Sequence, residues 1–387
     1  MDNKLHVLIL PSWYPESAND IGGSFFREQA HSIKRMGVKV GVLSVNLRSF
    51  KKIFTKGNKH RVEDDLGVLT LRKSGVNWLP RIRNGSSKLY ATAGLKAFSE
   101  YVKVNGKPDV IHVHSVLNAG VIAYEINKKY GIPFCITEHS SSYARDLFKP
   151  WQTEVIKEVV SRSSFNIAVS ESFSAFLEKK FPTTKWTYIP NILPPQFQSV
   201  TVRANDRNDF VFFNVSILTK NKGINTLIRA FSDGFKHKEN VFLHIIGDGK
   251  EKEFLEILAK DLGVGNKVKF LGAKPRNEIV SYFEQVDSYV LSSHFETFGV
   301  SLIEALSFGL PSVATICGGP ESILKEDVNG HFCEVNDVES MATAMLNIYE
   351  NYQCFDRKFI SLDCKNRFGE ATVVQKIIDT YIEVLNW

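Results

Sequence analysis

Two passages of the same grammar constrain this chain more than anything else in it. The first runs from Leu5-His6-Val7-Leu8-Ile9-Leu10 through a Pro-, Gly- and Ser-rich loop at 11–23. Helical periodicity follows from Phe25 to Met36, then Gly37, then the apolar run Val38–Val45. The second starts at Phe210–Val215, turns at Lys222-Gly223, continues as a helix through Phe231 and returns as Val241–Ile246 before Gly247-Asp248-Gly249. Strand, Gly-bearing loop, helix, strand is a βαβ unit, whose crossover joins parallel strands. Further short apolar runs follow each passage: Val110–Val113, Phe134–Thr137 and Phe165–Val169, then Lys267–Leu271, Ser288–Leu291 and Pro311–Thr315. At 387 residues and 43% apolar composition the chain can bury two cores. The expected fold is α/β with two Rossmann-like doubly wound domains. Pro194-Pro195 and the polar stretch Ser199–Asp209 mark the linker, dividing the chain into 1–198 and 199–369. The stretch Thr372–Trp387 is amphipathic at helical spacing, through Val373, Ile377, Ile378, Tyr381, Ile382 and Leu385.

Several function classes drop out. No apolar run approaches the ~18 residues of a membrane span, and Leu5–Leu10 is too short for a leader core. Five cysteines without a CxxC pair read as reduced thiols, so the expected location is cytoplasmic. Residues 1–200 hold 28 Lys and Arg against 16 Asp and Glu, whereas the remainder holds 20 against 26. A basic first half suits a phosphate-rich acceptor or an anionic membrane surface. No nucleic-acid partner is expected, because helix-turn-helix, zinc and aromatic RNA-binding signatures are missing. Arg48, Lys51, Lys52, Lys56, Lys59 and Arg61 surround Phe50, Ile53 and Phe54, with Trp78, Arg81 and Arg83 beyond. They predict peripheral contact with anionic lipid.

The chemistry concentrates between Ser293 and Glu304. Glu296 precedes a helix expected to start near Gly299, and Glu304 lies more than a turn inside it. Free N–H groups and the positive dipole end at that start suit a phosphate or a sugar hydroxyl. Glu-x7-Glu alone would be an ordinary capped helix. The neighbours Gly309-Leu310-Pro311, Gly318-Gly319-Pro320-Glu321 and Asn329-Gly330 make it more than that. His112 and His114 share a strand face as a conceivable metal pair, but no third ligand is near. No Asp-x-Asp pair appears, so no metal and no cofactor are expected.

Taken in order, the motifs resemble those of the retaining GT-B glycosyltransferases of family four, the glycosyl transferases of group 1. The pieces are Gly22-Gly23-Ser24-Phe25, Pro108 to His114, Thr137-Glu138-His139, Pro190-Asn191-Ile192, Lys222-Gly223, Phe270-Leu271-Gly272, Glu296 to Glu304 and Gly318 to Glu321. The resemblance implies two domains facing each other across a cleft, with a helix at about 370–387 packing back on the acceptor-binding first domain. It implies a nucleotide-sugar donor, UDP- or GDP-linked, and a glycan or lipid-linked acceptor. Lys222 would bind the diphosphate, closed over by Gly22 and Gly23. Glu296 would contact the transferred sugar and Glu304 the ribose. The N–H groups of Phe298, Gly299 and Val300 would approach sugar and phosphate. His139 would lie near the reacting sugar, and Leu271 to Pro275 would meet the base. One departure stands out: Ser216-Ile217-Leu218 replaces the family's Gly-Arg-Leu, so a second diphosphate cation is missing. That leaves an inactive partner subunit open as an alternative, beside a nucleotide-sugar epimerase. A dehydrogenase is disfavoured because Gly-x-Gly-x-x-Gly does not follow the first strand.

Overall fold

The computed structural model describes residues 4–16, 20, 22–49, 60–80, 82–202 and 207–386. The chain divides into two compact units, Met1–Ile192 with Ala371–Trp387, and Leu193–Glu370.

The first unit carries an eight-stranded sheet. Its strands are β1 (His6–Pro11), β2 (Lys39–Ser49), β3 (His60–Asp65), β4 (Val68–Asn77), β5 (Val110–His114), β6 (Phe134–Glu138), β7 (Phe165–Ala168) and β8 (Thr187–Tyr188). The order is β3-β4-β2-β1-β5-β6-β7-β8, parallel except for the antiparallel pair β3–β4. Every residue of β1 is buried, which is why Val7–Leu10 read as an unbroken apolar run rather than an alternation. Val7 and Ile9 pack with Ile33 of the helix Ser24–Arg35 and with Val373, Val374, Ile377 and Tyr381 of the last helix, Glu370–Leu385.

The sequence does not announce β3. Its residues His60, Arg61, Val62, Glu63, Asp64 and Asp65 offer one apolar side chain, so no period of two emerges. Arg48 and Arg61, read above as part of a lipid-facing segment, are sheet residues paired with Glu16 and Glu63. Residues 50–59 and Arg81 of that segment lie outside the described residues.

The second unit holds β9 (Phe210–Val215), β10 (Val241–Ile246), β11 (Val268–Phe270), β12 (Ser288–Leu291), β13 (Ser312–Thr315) and β14 (Gly330–Cys333). All are parallel, in the order β11-β10-β9-β12-β13-β14. The winding direction reverses between β9 and β12. In such sheets ligands bind outside the carboxyl ends of the strands at that reversal. The unit starts at Leu193, ahead of the expected 198/199 boundary. Phe197 is the reason: it is fully buried, with its ring 5.8 Å from Phe283 and 6.0 Å from Phe308, while Leu193 N donates to Phe368 O at 2.7 Å.

Candidate functional site

Two loops meet at the reversal point of the second sheet. After β9 the chain makes a 3-10 turn, Lys220–Lys222, and enters the helix Ile224–Phe235 through Gly223. Gly223 has φ +60°, and a Cβ there would stand 2.0 Å from the Ser292 carbonyl oxygen. Only glycine lets the β9 loop lie this close to the β12 loop. His294 N donates to Asn221 O at 2.7 Å, and Ser292 Oγ donates to Lys222 O at 2.8 Å. Tied in this way, Lys222 Nζ donates to Glu296 Oε1 at 2.6 Å, and Ser293 Oγ donates to the same atom at 2.7 Å. The two side chains keep 27% and 19% of their exposure, so a ligand can reach them. Glu296 is fixed from behind, its N–H donating to Cys317 O at 3.1 Å.

Past Glu296, Phe298 is buried against Phe368, and Gly299 turns at φ +118° into the helix Val300–Ser307. No side chain caps this helix. Its first N–H groups have no partners within the helix, and its positive end opens beside Glu296 in the chain. Glu304, inside the helix, is buried; its Oε1 accepts from an Arg276 guanidinium nitrogen at 2.6 Å. Burial pushes this carboxyl up, and Arg276 opposes the push. Arg276 was not foreseen, since no motif spacing links it to Glu304; the one signal was a cation after Lys274-Pro275 at a strand end. Leu271 follows β11 and is half-buried, its N–H donating to Ile245 O at 2.8 Å. Ile217, standing where an arginine was expected, is 58% exposed, and Lys220 is exposed.

In the first unit, the same reversal lies between β1 and β5. Gly22 N donates to Asp20 Oδ1 at 2.9 Å, and Gly23, at φ +82°, opens the helix Ser24–Arg35. His139 follows β6 and sits in a buried stack. His112 and His114 have ring centroids 4.3 Å apart, and His114 Nδ1 lies 3.1 Å from His139 Nε2. Tyr381 Oη and Thr137 Oγ1 occupy both His112 nitrogens, at 2.6 and 2.7 Å, which leaves no lone pair for the metal pairing considered above. Phe25 and Phe26 cover His139 at 5.2 and 5.0 Å. Glu138, unremarked except as part of a motif, anchors the turn. It accepts from the N–H groups of Val116 (2.9 Å), His139 (2.9 Å) and Ser140 (2.8 Å) and from the Tyr143 hydroxyl (3.0 Å).

Burial pushes His112 and His139 each down to about 3 and holds His114 well below the ordinary imidazole value. All three are neutral at physiological pH, so His139 can hydrogen-bond but lends no charge. Their folded values lie below the unfolded one. The stability they contribute is therefore full above about pH 6.5 and is lost as pH falls toward their folded values. The melting temperature is expected to drop on acidification from pH 6.5 to 4. Imidazole proton resonances of these three should stay flat above pH 5; titration near 6.5 would contradict their neutral burial.

Comparison with known proteins decides the family. The family described as "Glycosyl transferases group 1" matches residues 198–361, and "Glycosyltransferase Family 4" matches residues 23–197. The chain belongs to the group 1 GT-B glycosyltransferases. This glycosyltransferase is 28% identical over 224 residues to an uncharacterized glycosyltransferase of Haemophilus influenzae, covering 57% of the chain and 60% of the relative's length. It is 25% identical over 270 residues to the alpha-monoglucosyldiacylglycerol synthase of Acholeplasma laidlawii, covering 63% of the chain and 67% of that protein. The solved structure of Anabaena Alr3699/HepE in complex with UDP and glucose superposes with a TM-score of 0.70 at 20% identity, covering 97% of this chain and 99% of that one. No helix among the described residues of the glycosyltransferase is long and apolar enough to cross a membrane. Among those residues, Glu326, Asp327 and His331 bring ligand atoms within 4.8 Å of one another at the edge strand β14, where His331 Nδ1 is 2.9 Å from Glu326 Oε1.

Proposed function

We propose that this glycosyltransferase moves a sugar from a UDP- or GDP-linked donor to a glycan or lipid-linked acceptor, with retention and without a metal. The observation that carries the reading is the partly open Lys222–Glu296 pair at the reversal point of the second sheet. Cleaving a glycosyl–phosphate bond builds negative charge on the departing diphosphate. A lysine ammonium and the N–H groups of Phe298, Gly299 and Val300 stabilise such charge without reorganising. Diphosphate binding draws Lys222 away from Glu296, which then accepts from the hydroxyls of the transferred sugar. The acceptor oxygen attacks on the face the diphosphate leaves, and its proton passes to the departing phosphate. His139 contributes a neutral hydrogen bond, and Leu271 borders the base. The lipid-linked option draws support from the Acholeplasma relative's name and from the basic first 200 residues, which also suit work at the inner face of a membrane. Exposed Ile217 in place of a cation favours a second reading, a weak or inactive partner subunit.

Glu304 supplies the test. Ribose hydroxyls donate to its ionised form, in competition with Arg276. Its folded value is raised, so the protonated form gains stability below the unfolded value, and that gain is lost as pH rises through the folded one. Donor binding runs the opposite way and weakens as the carboxyl takes up its proton. Calorimetric affinity for UDP or GDP should therefore decline on acidification from pH 8 while still above the ordinary carboxylate range. In Glu304→Gln it should be about 10-fold lower and flat with pH, the scale of a charged hydrogen bond. Absence of UDP and GDP binding at pH 8 would overturn the reading.

A further inference from the structure

A second polar hollow lies wholly within the first unit, on the face of β2, β4 and β3. Pairing places Ser44 of β2 opposite Arg72 of β4, and Arg72 opposite Arg61 of β3. Arg48, four residues beyond Ser44, shares its face. These residues line a hollow of about 50 Å³ together with Tyr14 and Asn46. That is room for more than one water, and the hollow has space for a small anionic head group, a carboxylate or a phosphate.

Its charges are unevenly matched. Like charges directly opposite on neighbouring strands repel; among the described residues Glu63 is the carboxylate that answers both Arg61 and Arg72, with Arg72 Nε donating to it at 2.6 Å, while Arg61 also donates to the Glu16 carbonyl at 3.3 Å. Lys73, which also lines the hollow, pairs with Glu100 at 3.4 Å; the remaining guanidinium, Arg48, meets Glu16 at 3.1 Å, but Glu16 is 64% exposed. A pair that open contributes little and yields readily to a competing anion. Among the described residues, these three guanidinium groups thus share two carboxylates, one of them weakly held.

The second observation is Tyr14. It is 7% exposed, lines the hollow and sits under the Arg72 guanidinium at 5.1 Å from its ring centroid. Its hydroxyl is buried and meets no hydrogen-bond partner among the described residues. Burial raises the phenol, so it stays protonated and donates. A buried donor without an acceptor is costly and rare, and here it stands beside the Arg72 and Arg27 guanidinium groups as well as the Asp65 and Glu63 carboxylates.

We propose that this hollow binds an oxyanion, a carboxylate or phosphate carried by the acceptor, through the Tyr14 hydroxyl and the Arg48, Arg61 and Arg72 guanidinium groups. The proposal rests on the transferase reading and names the chemical class of its acceptor. Glu16 swings out to solvent as the anion enters.

Tyr14→Phe isolates the contact, because it removes a hydroxyl that bonds nothing among the described residues. Inorganic phosphate and malonate would be titrated at fixed ionic strength with UDP saturating, read by thermal shift, and phosphatidylglycerol vesicles by co-sedimentation. Tyr14→Phe should melt like the parent and bind the anion about 10-fold more weakly. Arg48→Gln should weaken it also. Tyr14-dependent binding of vesicles but not of the soluble anions would assign the oxyanion to a lipid head group. No response to any probe, or equal responses in parent and both variants, would overturn the proposal. UDP binding is read in the same samples, so a failure of the donor site is seen separately; the Tyr14 comparison decides the hollow in either case.

Discussion

Lys222→Ala is expected to lower turnover on the order of 100- to 1,000-fold, the scale of losing one preorganised group that faces developing charge. The fold should barely notice. Lys222 keeps 27% exposure, its ion pair is partly screened, and its stem fills no core position. A melting temperature within about 2 °C of the parent follows. The loss should fall on kcat more than on KM, because the diphosphate gains charge as the bond breaks. Glu296→Gln separates the roles: it frees Lys222 for the diphosphate but weakens hydrogen bonds to the sugar, so nucleoside-diphosphate affinity should hold while turnover falls. Steady-state kinetics with a sugar-nucleotide panel, in acceptor-dependent and hydrolytic modes, would check both. Near-parental turnover in Lys222→Ala would remove the cation from the mechanism.

Gly319→Ala should act on the same site from behind. A Cβ at Gly319 would stand 2.2 Å from Phe298 O, 2.4 Å from Phe298 N and 2.5 Å from Phe298 C. Its φ of −80° suits any residue, so the conflict is purely one of space. Backbone cannot rotate away like a side-chain tip, and Phe298 is held by its packing on Phe368. The added methyl must therefore push the Phe298–Gly299 turn and the N–H groups opening the helix Val300–Ser307. Overpacking of this kind costs about 1–3 kcal/mol, a fall in melting temperature of roughly 2–12 °C for a unit of this size. Because displacement by a fraction of an ångström spoils preorganised donors, turnover should drop about 100-fold. Thermal melts and steady-state kinetics with a sugar-nucleotide panel would show the two effects. A variant as stable and as active as the parent would mean that the turn yields freely and holds nothing in register.

The parts most legible in the sequence were those under two simultaneous constraints. β1 and β9 are largely buried and read as mostly apolar runs, Val7–Leu10 and Phe210–Phe213. Gly223 and Gly299 need positive φ, so glycine marked the loops beside Lys222 and Glu296. The hairpin β3–β4 was hidden because β3 carries charge toward solvent and toward Arg72. Arg276 was hidden for another reason: its partner Glu304 lies in a different element, and contacts across elements leave no periodic trace. The His112–His114–His139 stack was half visible. Spacing put two imidazoles on one face of β5, but the third arrives from β6.

The last helix, Glu370–Leu385, has a consequence for how the molecule is made. Val373, Val374, Ile377 and Tyr381 fill the interior beneath β1, and Tyr381 supplies the hydroxyl that meets His112. A ribosome emits β1 well before these side chains, with all of Leu193–Glu370 in between. At about 5–20 residues per second the nascent first unit waits roughly ten to forty seconds with an apolar groove and a buried-type imidazole open to water. The later-made unit is the one that can finish first, and the earlier-made one is the natural client of a chaperone.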